Sequence, residues 1–530
     1  MQKLRTYTGL FLLLLLTAVG CTPIIQQSAG VNAVEITATK TTNPVLQRFE
    51  FNPVLRLEVN IPEGNSTIAL STLEGVMDTH TLSYISKLEV YATKQMYNPT
   101  ERNNLDKGQL MATLVPSAKK FSLQVPGKLA SGKHHLWINV LLKNTADMDG
   151  KVQLKITNLK DAAGRRYPVK QNELSNQPIG FALRKPMDDQ VVSYRIPGMA
   201  TTDKGTLISV YDIRYDNSRD LPANIDVGMN RSTDGGKSWS DMKTILDMGG
   251  PKDNSGIGDP AVLFDPVSKT IWVAALWSKG NRSIAGSGPG LSPDETGQII
   301  LTKSTDDGLT WSKPINITSK VKNPKWRIFF PGPGNGIAMA DGKIVFAAQY
   351  WDADKMPHST LIYSDDHGKS WKSGLGAKSN TTESQLVETS PGTLMLNMRD
   401  NRGKFRSVAV TKDMGMTWTE HATSYHTLPD PVCMASFIKA KVNVNGKMRD
   451  VLFFSNPNVS DSPRRNISIK ASLDYGETWQ PANTLLLDER DCFGYSALTK
   501  IDDNTIGILY EGKSSLKFVR VPVKQIIKYQ

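Results

Sequence analysis

The sequence predicts an all-β protein in which a β-sandwich is followed by a six-bladed β-propeller. One eight-residue pattern, Ser/Thr-x-Asp-x-Gly-x-Ser/Thr-Trp, occurs five times between residues 232 and 479, at intervals of 47 to 72 residues. Before the first copy, several short segments alternate apolar and polar residues. Repetition at this spacing is typical of repeat architectures, and alternation with period two is typical of half-buried strands.

Each copy of the pattern has the composition of a tight turn that ends in an anchor. The Asp is expected to bond backbone groups two residues further on, and the Gly adopts backbone angles that other residues resist. The Trp buries a large ring against neighbouring strands. We therefore interpret the pattern as a structural staple between strands of a small sheet, without a catalytic role. The copies occupy residues 232–239, 304–311, 364–371, 411–418 and 472–479.

The chain before the repeats predicts the β-sandwich, which we place at residues 22–180. Apolar residues spaced by two predict strands around residues 55–61, 88–92, 136–142 and 152–156. Turn-forming stretches such as Pro62–Asn65 and Pro126–Gly127 separate them. A segment from Asn176 to Asp189 is expected to connect this domain to the rest of the chain.

The region 185–530 predicts the propeller. Short strands continue there with turn signals between them, and no long amphipathic helix is evident. Blades of a propeller are four-stranded sheets, and six blades would receive about 58 residues each, close to the repeat spacing. Five repeats then leave one blade without a copy, which is expected to close the ring with strands from both ends of the domain.

The first 21 residues predict a signal peptide. Lys3 and Arg5 precede the apolar run Leu10–Leu16, which is too short for a stable membrane span. Ala18–Cys21 resembles a bacterial lipoprotein cleavage box, with Cys21 as the lipidated residue, and ordinary secretory cleavage is the alternative. We expect an exported outer-membrane lipoprotein, facing either the periplasm or the cell surface, with no membrane attachment besides the lipid.

Charge and cysteine content limit the possible partners. The chain has 63 Lys and Arg against 51 Asp and Glu, a net charge of +12, yet no long basic run, so nucleic-acid binding is not supported. A basic surface is compatible with an anionic substrate. Of the three cysteines, Cys433 and Cys492 are interpreted as two buried thiols, although one disulfide between them is possible. No spacing of His or Cys indicates a metal site, and no cofactor is expected.

A family resemblance becomes specific at Tyr194-Arg195-Ile196-Pro197. Sialidase catalytic domains begin with such a segment and continue with repeats like these, known as Asp-boxes. The resemblance covers residues 185–530, and the two-domain layout resembles exo-sialidases of Bacteroidetes. It implies a glycosidase that acts on sialylated glycans of glycoproteins or glycolipids, and a monomer is expected.

Sialic acid carries a carboxylate, for which arginine is the best ligand because its fork gives paired charge-assisted bonds. The resemblance implies three such arginines. Arg195 and Arg399 match the first two; Arg464 matches the third, with Arg465 as the alternative one position on. It also implies supporting pocket residues, which match Arg214, Asp259 and Glu511.

The resemblance implies three residues that carry the chemistry. A carboxylate nucleophile would be repelled by the substrate, and sialidases use tyrosine instead. Tyr495 matches this nucleophile and Glu383 its base. Asp220, which lies 25 residues after Arg195, matches the general acid, with Asp216 and Asp226 as nearby competitors.

Two other functions remain open at this level. The same residues could transfer sialic acid to another sugar or convert it to an anhydro product. A non-catalytic glycan-binding lipoprotein is the second rival, but it predicts loss of Tyr495, Glu383 or Asp220, and all three are present. The first domain resembles a carbohydrate-binding module, and the alternative is a rigid spacer.

Overall fold

The computed structural model describes residues 33–64, 67–93, 108–249, 255–280 and 282–528. The predicted signal peptide and lipoprotein box lie outside the described residues. Strands dominate, as predicted. The first twelve are β1 (Glu35–Lys40), β2 (Val45–Gln47), β3 (Pro53–Ile61), β4 (Ile68–Met77), β5 (Ile85–Thr93), β6 (Gln109–Leu114), β7 (Lys120–Leu129), β8 (Gly132–Leu142), β9 (Lys151–Val152), β10 (Leu154–Asp161), β11 (Arg166–Lys170) and β12 (Gln177–Arg184).

The predicted alternating segments form strands in this region. In β3 the four apolar residues at positions 55, 57, 59 and 61 are all buried, since successive side chains of a strand point to opposite faces. The antiparallel set β6-β5-β8-β3-β1 and the antiparallel set β11-β10-β4-β7 are joined by a short parallel pairing of β1 with β11. The buried faces of these strands contribute to one apolar cluster.

The remaining strands form small sheets, one after another along the chain. They are β13 (Ser193–Thr201), β14 (Leu207–Arg214), β15 (Ile225–Ser232), β16 (Lys243–Leu246), β17 (Gly256–Asp265), β18 (Thr270–Ser278), β19 (Gln298–Ser304), β20 (Ile315–Asn316), β21 (Ile328–Ala338), β22 (Ile344–Trp351), β23 (Pro357–Ser364), β24 (Lys372–Ser373), β25 (Lys378–Ser379), β26 (Thr381–Ser390), β27 (Thr393–Asp400), β28 (Lys404–Phe405), β29 (Ser407–Thr411), β30 (Thr419–Glu420), β31 (Pro429–Asp430), β32 (Ser436–Val444), β33 (Lys447–Pro457), β34 (Ile467–Ser472), β35 (Thr484–Asp488), β36 (Ser496–Asp502), β37 (Thr505–Glu511) and β38 (Leu516–Pro522).

These sheets have a β-propeller-like arrangement. Four-stranded sheets follow the orders β13-β14-β15-β16, β26-β27-β29-β30 and β32-β33-β34-β35. The order β20-β19-β18-β17-β21-β22-β23-β24 contains two antiparallel halves, which meet where β17 and β21 pair in parallel over two residue pairs. At the centre a Cβ built on Gly198 of β13 would lie 2.4 Å from the Gly334 carbonyl oxygen of β21, so backbones of different sheets touch there.

The segment expected to be a connection contains a strand. β12 pairs antiparallel with β38 in the C-terminal sheet, and β2 adds to its other edge in parallel. A strand from before the repeats therefore lies in the same sheet as the last strands of the chain. The ion pair of Arg520 with Asp149, at 2.7 Å, adds a second link between the early and late residues.

The Asp-boxes form tight turns, and their geometry differs in one respect from the expectation. In the second box, Asp306 accepts from the backbone N–H of Thr310, four residues on, at 2.9 Å rather than two residues on. Asp307 and Gly308 have φ values of 63° and 85°, which bend the chain back toward the carboxylate. Hydrogen bonds from the Thr310 hydroxyl and N–H lower the pKa of Asp306 to about 2.

The boxes also join neighbouring sheets, which the sequence pattern alone did not indicate. The residue after the Asp reaches the preceding sheet in the third box, where His367 Nδ1 lies 2.9 Å from Asp265. The box glycine packs there as well, because a Cβ on Gly368 would lie 2.2 Å from the Trp272 ring. Only a glycine fits this contact, so each staple extends from one sheet to the next.

Helices are short in the described part of the chain: α1 (Thr79–Tyr84), α2 (Thr318–Val321) and α3 (Val523–Ile526), with 3₁₀ turns at Asp188–Gln190 and Pro481–Asn483. None of these helices has the length and apolar character needed to cross a membrane.

We expect Gly368→Ala to lower the thermal stability of the protein without changing its catalytic properties. The added methyl group meets the Trp272 ring, and overpacking of this kind costs about 1–3 kcal/mol. Gly368 also has a φ of 85°, which costs a further 1–3 kcal/mol or so for a residue other than glycine. Differential scanning calorimetry measures the loss.

The matched control for this variant is Gly205→Ala. Gly205 has a φ of 76°, but nothing lies within 4 Å of its added Cβ. This control measures the backbone cost alone. Equal losses of stability in the two variants would show that the packing of Gly368 against Trp272 adds nothing to stability.

Candidate active site

The predicted site residues meet at one end of the propeller-like arrangement, where the innermost strands begin. Arg195, Asp259 and Glu383 lie near the starts of β13, β17 and β26, and Tyr495 directly precedes β36. The pairing register shifts beside the first three residues, as in a β-bulge. Bulges re-aim side chains and are common next to active sites, so local irregularity turns these side chains toward the centre.

Backbone strain accompanies the irregular strand starts. Ile196 and Asp259 have φ values of 59° and 55°, a conformation that costs a non-glycine residue free energy. At the equivalent place before Tyr495 the chain uses Gly494, with φ of 99°. A Cβ there would lie 3.0 Å from Cys433 Sγ and 3.1 Å from Arg464 Cδ, so glycine is required by both angle and space.

Glu511, at the end of β37, connects the first and last sheets of the propeller-like region. Its side chain is fully buried. One carboxylate oxygen accepts from Arg195 Nε at 3.1 Å and from the Ile196 N–H at 2.9 Å, and the other accepts from the Tyr495 N–H at 2.9 Å. This single carboxylate therefore positions both the guanidinium of Arg195 and the backbone of Tyr495.

Tyr495, Glu383 and Arg399 form a hydrogen-bonded cluster. The Tyr495 hydroxyl donates to Glu383 Oε1, while Arg399 Nη1 donates to Glu383 Oε2 at 2.6 Å and to the Tyr495 Oη at 3.0 Å. Burial and the adjacent Glu383 carboxylate raise the pKa of Tyr495 well above its usual value, even though Arg399 opposes the shift. The phenol is therefore protonated at neutral pH in the free protein, with the Glu383 carboxylate as its hydrogen-bond acceptor.

The structure distinguishes the two candidates for the third arginine. The Arg464 guanidinium lies 5.8 Å from the centroid of the Tyr495 ring and is held by the carbonyls of Phe493 and Val432, at 2.7 and 2.6 Å. Arg465 instead donates to the Pro463 carbonyl and to Asp461, an exposed pair outside the cluster. Arg464 therefore joins Arg195 and Arg399 around Tyr495, and Arg465 does not.

Asp220 faces the arginines from an exposed loop between β14 and β15. Its carboxylate oxygen Oδ1 lies 2.8 Å from Arg214 Nη1 and 3.3 Å from Arg195 Nη1. Desolvation raises the pKa of Asp220, but Arg214 and Arg195 outweigh it and hold the pKa below its usual value. The competitors differ: Asp226 accepts from the Tyr215 hydroxyl at 2.9 Å, and Asp216 is exposed.

Asp259, near the start of β17, contacts Asp212, a residue that sequence reasoning missed. Burial, followed by Asp212 and Asp220, raises the pKa of Asp259 well above its usual value. Asp212 of β14 is buried and contacts both Arg214 and the Asp259 N–H. Its place two residues before Arg214, on the same strand face, was the available signal.

No group of His, Cys, Asp or Glu suited to hold a metal ion is found among the described residues. The two described cysteines, Cys433 and Cys492, are buried free thiols, as interpreted from the sequence. Burial raises the pKa of Cys433 to about 12, so this thiol is not a nucleophile at neutral pH.

Matches to known proteins define the class as glycoside hydrolases that act on sialic acids. The family described as "BNR repeat-like domain" matches residues 218–508, and "N-terminal domain of BNR-repeat neuraminidase" matches residues 33–164. A sialidase of Bacteroides fragilis is 41% identical over 96% of this chain and 97% of its own length. The chain belongs to the BNR-repeat neuraminidases, or sialidases, and sialylated glycans are the substrates that this membership implies.

Other relatives and solved structures agree with this membership. A sialidase of Micromonospora viridifaciens is 32% identical over 62% of this chain, which covers 51% of that relative. The structure of a Hadza microbial sialidase superposes with a TM-score of 0.84 and 38% identity, covering 93% of this chain and all of that one. A leech intramolecular trans-sialidase, at 16% identity, TM-score 0.59 and coverage of 87% and 95%, shares the fold.

We expect Glu511→Gln to reduce both stability and turnover. The variant loses the negative charge opposite Arg195, and its amide nitrogen cannot accept from the N–H groups that Glu511 satisfies. Removing one partner of a buried ion pair costs about 3–5 kcal/mol. Thermal unfolding and release of sialic acid from sialyllactose measure the two effects.

The control is Asp461→Asn, which breaks the exposed pair with Arg465. Exposed pairs contribute at most about 1 kcal/mol. If Glu511→Gln resembled this control in both measurements, the buried carboxylate would not organise the site as described.

Proposed function

We propose that this protein is a retaining exo-α-sialidase that releases terminal sialic acid by hydrolysis, with Tyr495 as the nucleophile. The observation that carries the proposal is the cluster in which the Tyr495 hydroxyl is bonded to both Glu383 and Arg399. A nucleophile, its base and a cationic group thus lie within hydrogen-bonding distance, which is the arrangement that covalent catalysis requires.

Arg195, Arg399 and Arg464 bind the carboxylate of the substrate. They surround Tyr495: Arg399 contacts its hydroxyl, and the guanidinium carbons of Arg195 and Arg464 lie 5.6 and 5.8 Å from its ring centroid. Three cations held around one point give an anionic group a strong and oriented site. The substrate carboxylate on the anomeric carbon would therefore place that carbon beside Tyr495.

Tyr495 attacks the anomeric carbon as Glu383 takes its proton. A neutral phenol approaches the anionic substrate without the repulsion that a carboxylate would meet. Because its pKa is raised by burial and by Glu383, the phenol gives up its proton only when the new bond forms. The guanidinium of Arg399 stabilises negative charge that develops on the phenol oxygen.

Asp220 protonates the oxygen of the departing sugar, and later removes a proton from the incoming water. In the free protein its carboxylate is paired with Arg195 and Arg214. A substrate carboxylate that binds Arg195 competes for this pairing and adds a second negative charge nearby. Both changes raise the pKa of Asp220 and favour the acid form that the first step needs.

Hydrolysis is preferred to transfer because the relative covered almost completely by this chain is named a sialidase. Intramolecular trans-sialidases appear among the solved structures at low identity, where only the fold is shared. Chromatography of the products from 3′- and 6′-sialyllactose separates the possibilities: free sialic acid supports hydrolysis, and an anhydro or transferred product would replace it.

For the architecture, we assign six blades and a separate β-sandwich. The six innermost strands would be β13, β17, β21, β26, β32 and β36, and the last blade would take β12 as an outer strand, next to β38. The short parallel pairing of β1 with β11 supports two packed sheets in the first domain. We further assign export with a lipid on Cys21, a monomeric state and a glycan-binding role for the first domain.

Tyr495→Phe is expected to abolish turnover while leaving binding intact. Loss of a nucleophile that acts with its base lowers kcat by about 10³-fold or more. The three arginines remain, so calorimetry with sialyllactose should give a similar Kd. Tyr475→Phe, an exposed tyrosine of the fifth Asp-box, is the matched control. Full activity of Tyr495→Phe would show that Tyr495 is not the nucleophile.

Asp220→Ala is expected to slow different substrates unequally. Sialyllactose has a poor leaving group, so loss of the general acid should lower kcat by about 10²- to 10⁴-fold. The aryl group of a substrate such as 4-methylumbelliferyl sialic acid leaves without being protonated. The kcat on that substrate should therefore fall much less. Asp216→Ala in the same loop is the control, and equal losses on both substrates would exclude Asp220 as the acid.

A further inference from the structure

Asp212 is a buried carboxylate that the mechanism above does not use. It lies on β14 with 1% of its side chain exposed, in register with Arg195 on β13. Burial of a carboxylate is costly unless its oxygens are paired. Its two oxygens have separate partners, and these partners belong to two different parts of the site.

The first oxygen holds Arg214. Asp212 Oδ2 accepts from Arg214 Nε at 3.0 Å and from Arg214 Nη2 at 2.8 Å. This leaves Arg214 Nη1 facing the loop, where it donates to the Ser218 carbonyl at 2.8 Å and lies 2.8 Å from Asp220 Oδ1. The guanidinium plane is rigid, so its two contacts with Asp212 decide where Nη1 points.

The second oxygen holds the strained turn at Asp259. Asp212 Oδ1 accepts from the Asp259 N–H at 2.9 Å, and Asp259 has a φ of 55°. The preceding residue is Gly258, whose added Cβ would lie 3.0 Å from the same Asp212 oxygen. Strained backbone persists only where its surroundings impose it. The hydrogen bond from Asp212, on a neighbouring sheet, helps to impose the conformation of Asp259.

We infer that Asp212 is a positioning residue for the general acid: through Arg214 it places the carboxylate of Asp220, and through a second hydrogen bond it holds the strained backbone at Asp259. This inference rests on the function proposed above. One buried carboxylate would then control leaving-group protonation, although its side-chain hydrogen bonds go to Arg214 and the Asp259 N–H and not to Asp220 itself.

The test is Asp212→Asn, which keeps the shape but turns an N–H donor or a weaker acceptor toward Arg214. We expect kcat on sialyllactose to fall about 10- to 100-fold, whereas kcat on the aryl sialoside falls less than about 3-fold. Asp216→Asn is the control, because Asp216 is exposed on the same loop. Equal losses on both substrates, or no loss, would overturn the inference and leave Asp212 with a structural role alone.

A double-mutant cycle tests the route through Arg214. If Asp212 acts through Arg214, Asp212→Asn should lower kcat on sialyllactose less than about 3-fold further in an Arg214→Met background. Additive losses would show that Arg214 does not carry the effect. Comparing thermal unfolding of all four proteins identifies any loss that reflects instability.

A crystal structure of Asp212→Asn provides a readout that does not depend on turnover. We expect the contact of Arg214 with Asp220 to be broken while Arg195 keeps its pairing with Glu511. An unchanged position of Arg214 and Asp220 would overturn the inference. Failure of the proposed function would look different. Wild-type protein would then release no sialic acid, or Asp220→Ala would slow both substrates equally, whatever Asp212→Asn does.

Discussion

The buried carboxylate of Glu511 is the constraint on which the rest of the site depends. A charge without solvent must be satisfied by hydrogen bonds, and Glu511 obtains them from Arg195, Ile196 and Tyr495. These donors belong to the first and last sheets of the propeller-like region. The same bonds that stabilise the buried charge therefore hold Arg195 beside Tyr495.

Two kinds of local irregularity have different functions in this protein. In the Asp-boxes, left-handed residues such as Asp307 and His367 bend turns that join one sheet to the next. At the strand starts, Ile196, Asp259 and Gly494 take the same backbone region and direct side chains to the centre. The first kind builds the scaffold, and the second builds the site on it.

Charge balance explains why the site needs so many ionisable groups. Without nearby carboxylates, Arg195, Arg214 and Arg399 would repel one another. Glu383, Glu511 and Asp220 neutralise them in the free protein. Asp220 is the exposed member of this set, with 68% of its side chain accessible, so it is the pairing that a substrate carboxylate can most readily replace.

The sequence alone predicted an all-β fold with a propeller-like region and named most of the residues that meet at its centre, because repeats and short motifs encode local turns and residue types. Period two at Leu55–Ile61 identified a strand, and Tyr194–Pro197 located the first arginine. Contacts between distant residues were decided only by the tertiary structure. Arg464 rather than Arg465 faces Tyr495 because Phe493 and Val432 hold it there, and Asp212 contacts the Asp259 N–H because β14 and β17 of different sheets lie together. Such pairings depend on how sheets pack, and no local pattern records that.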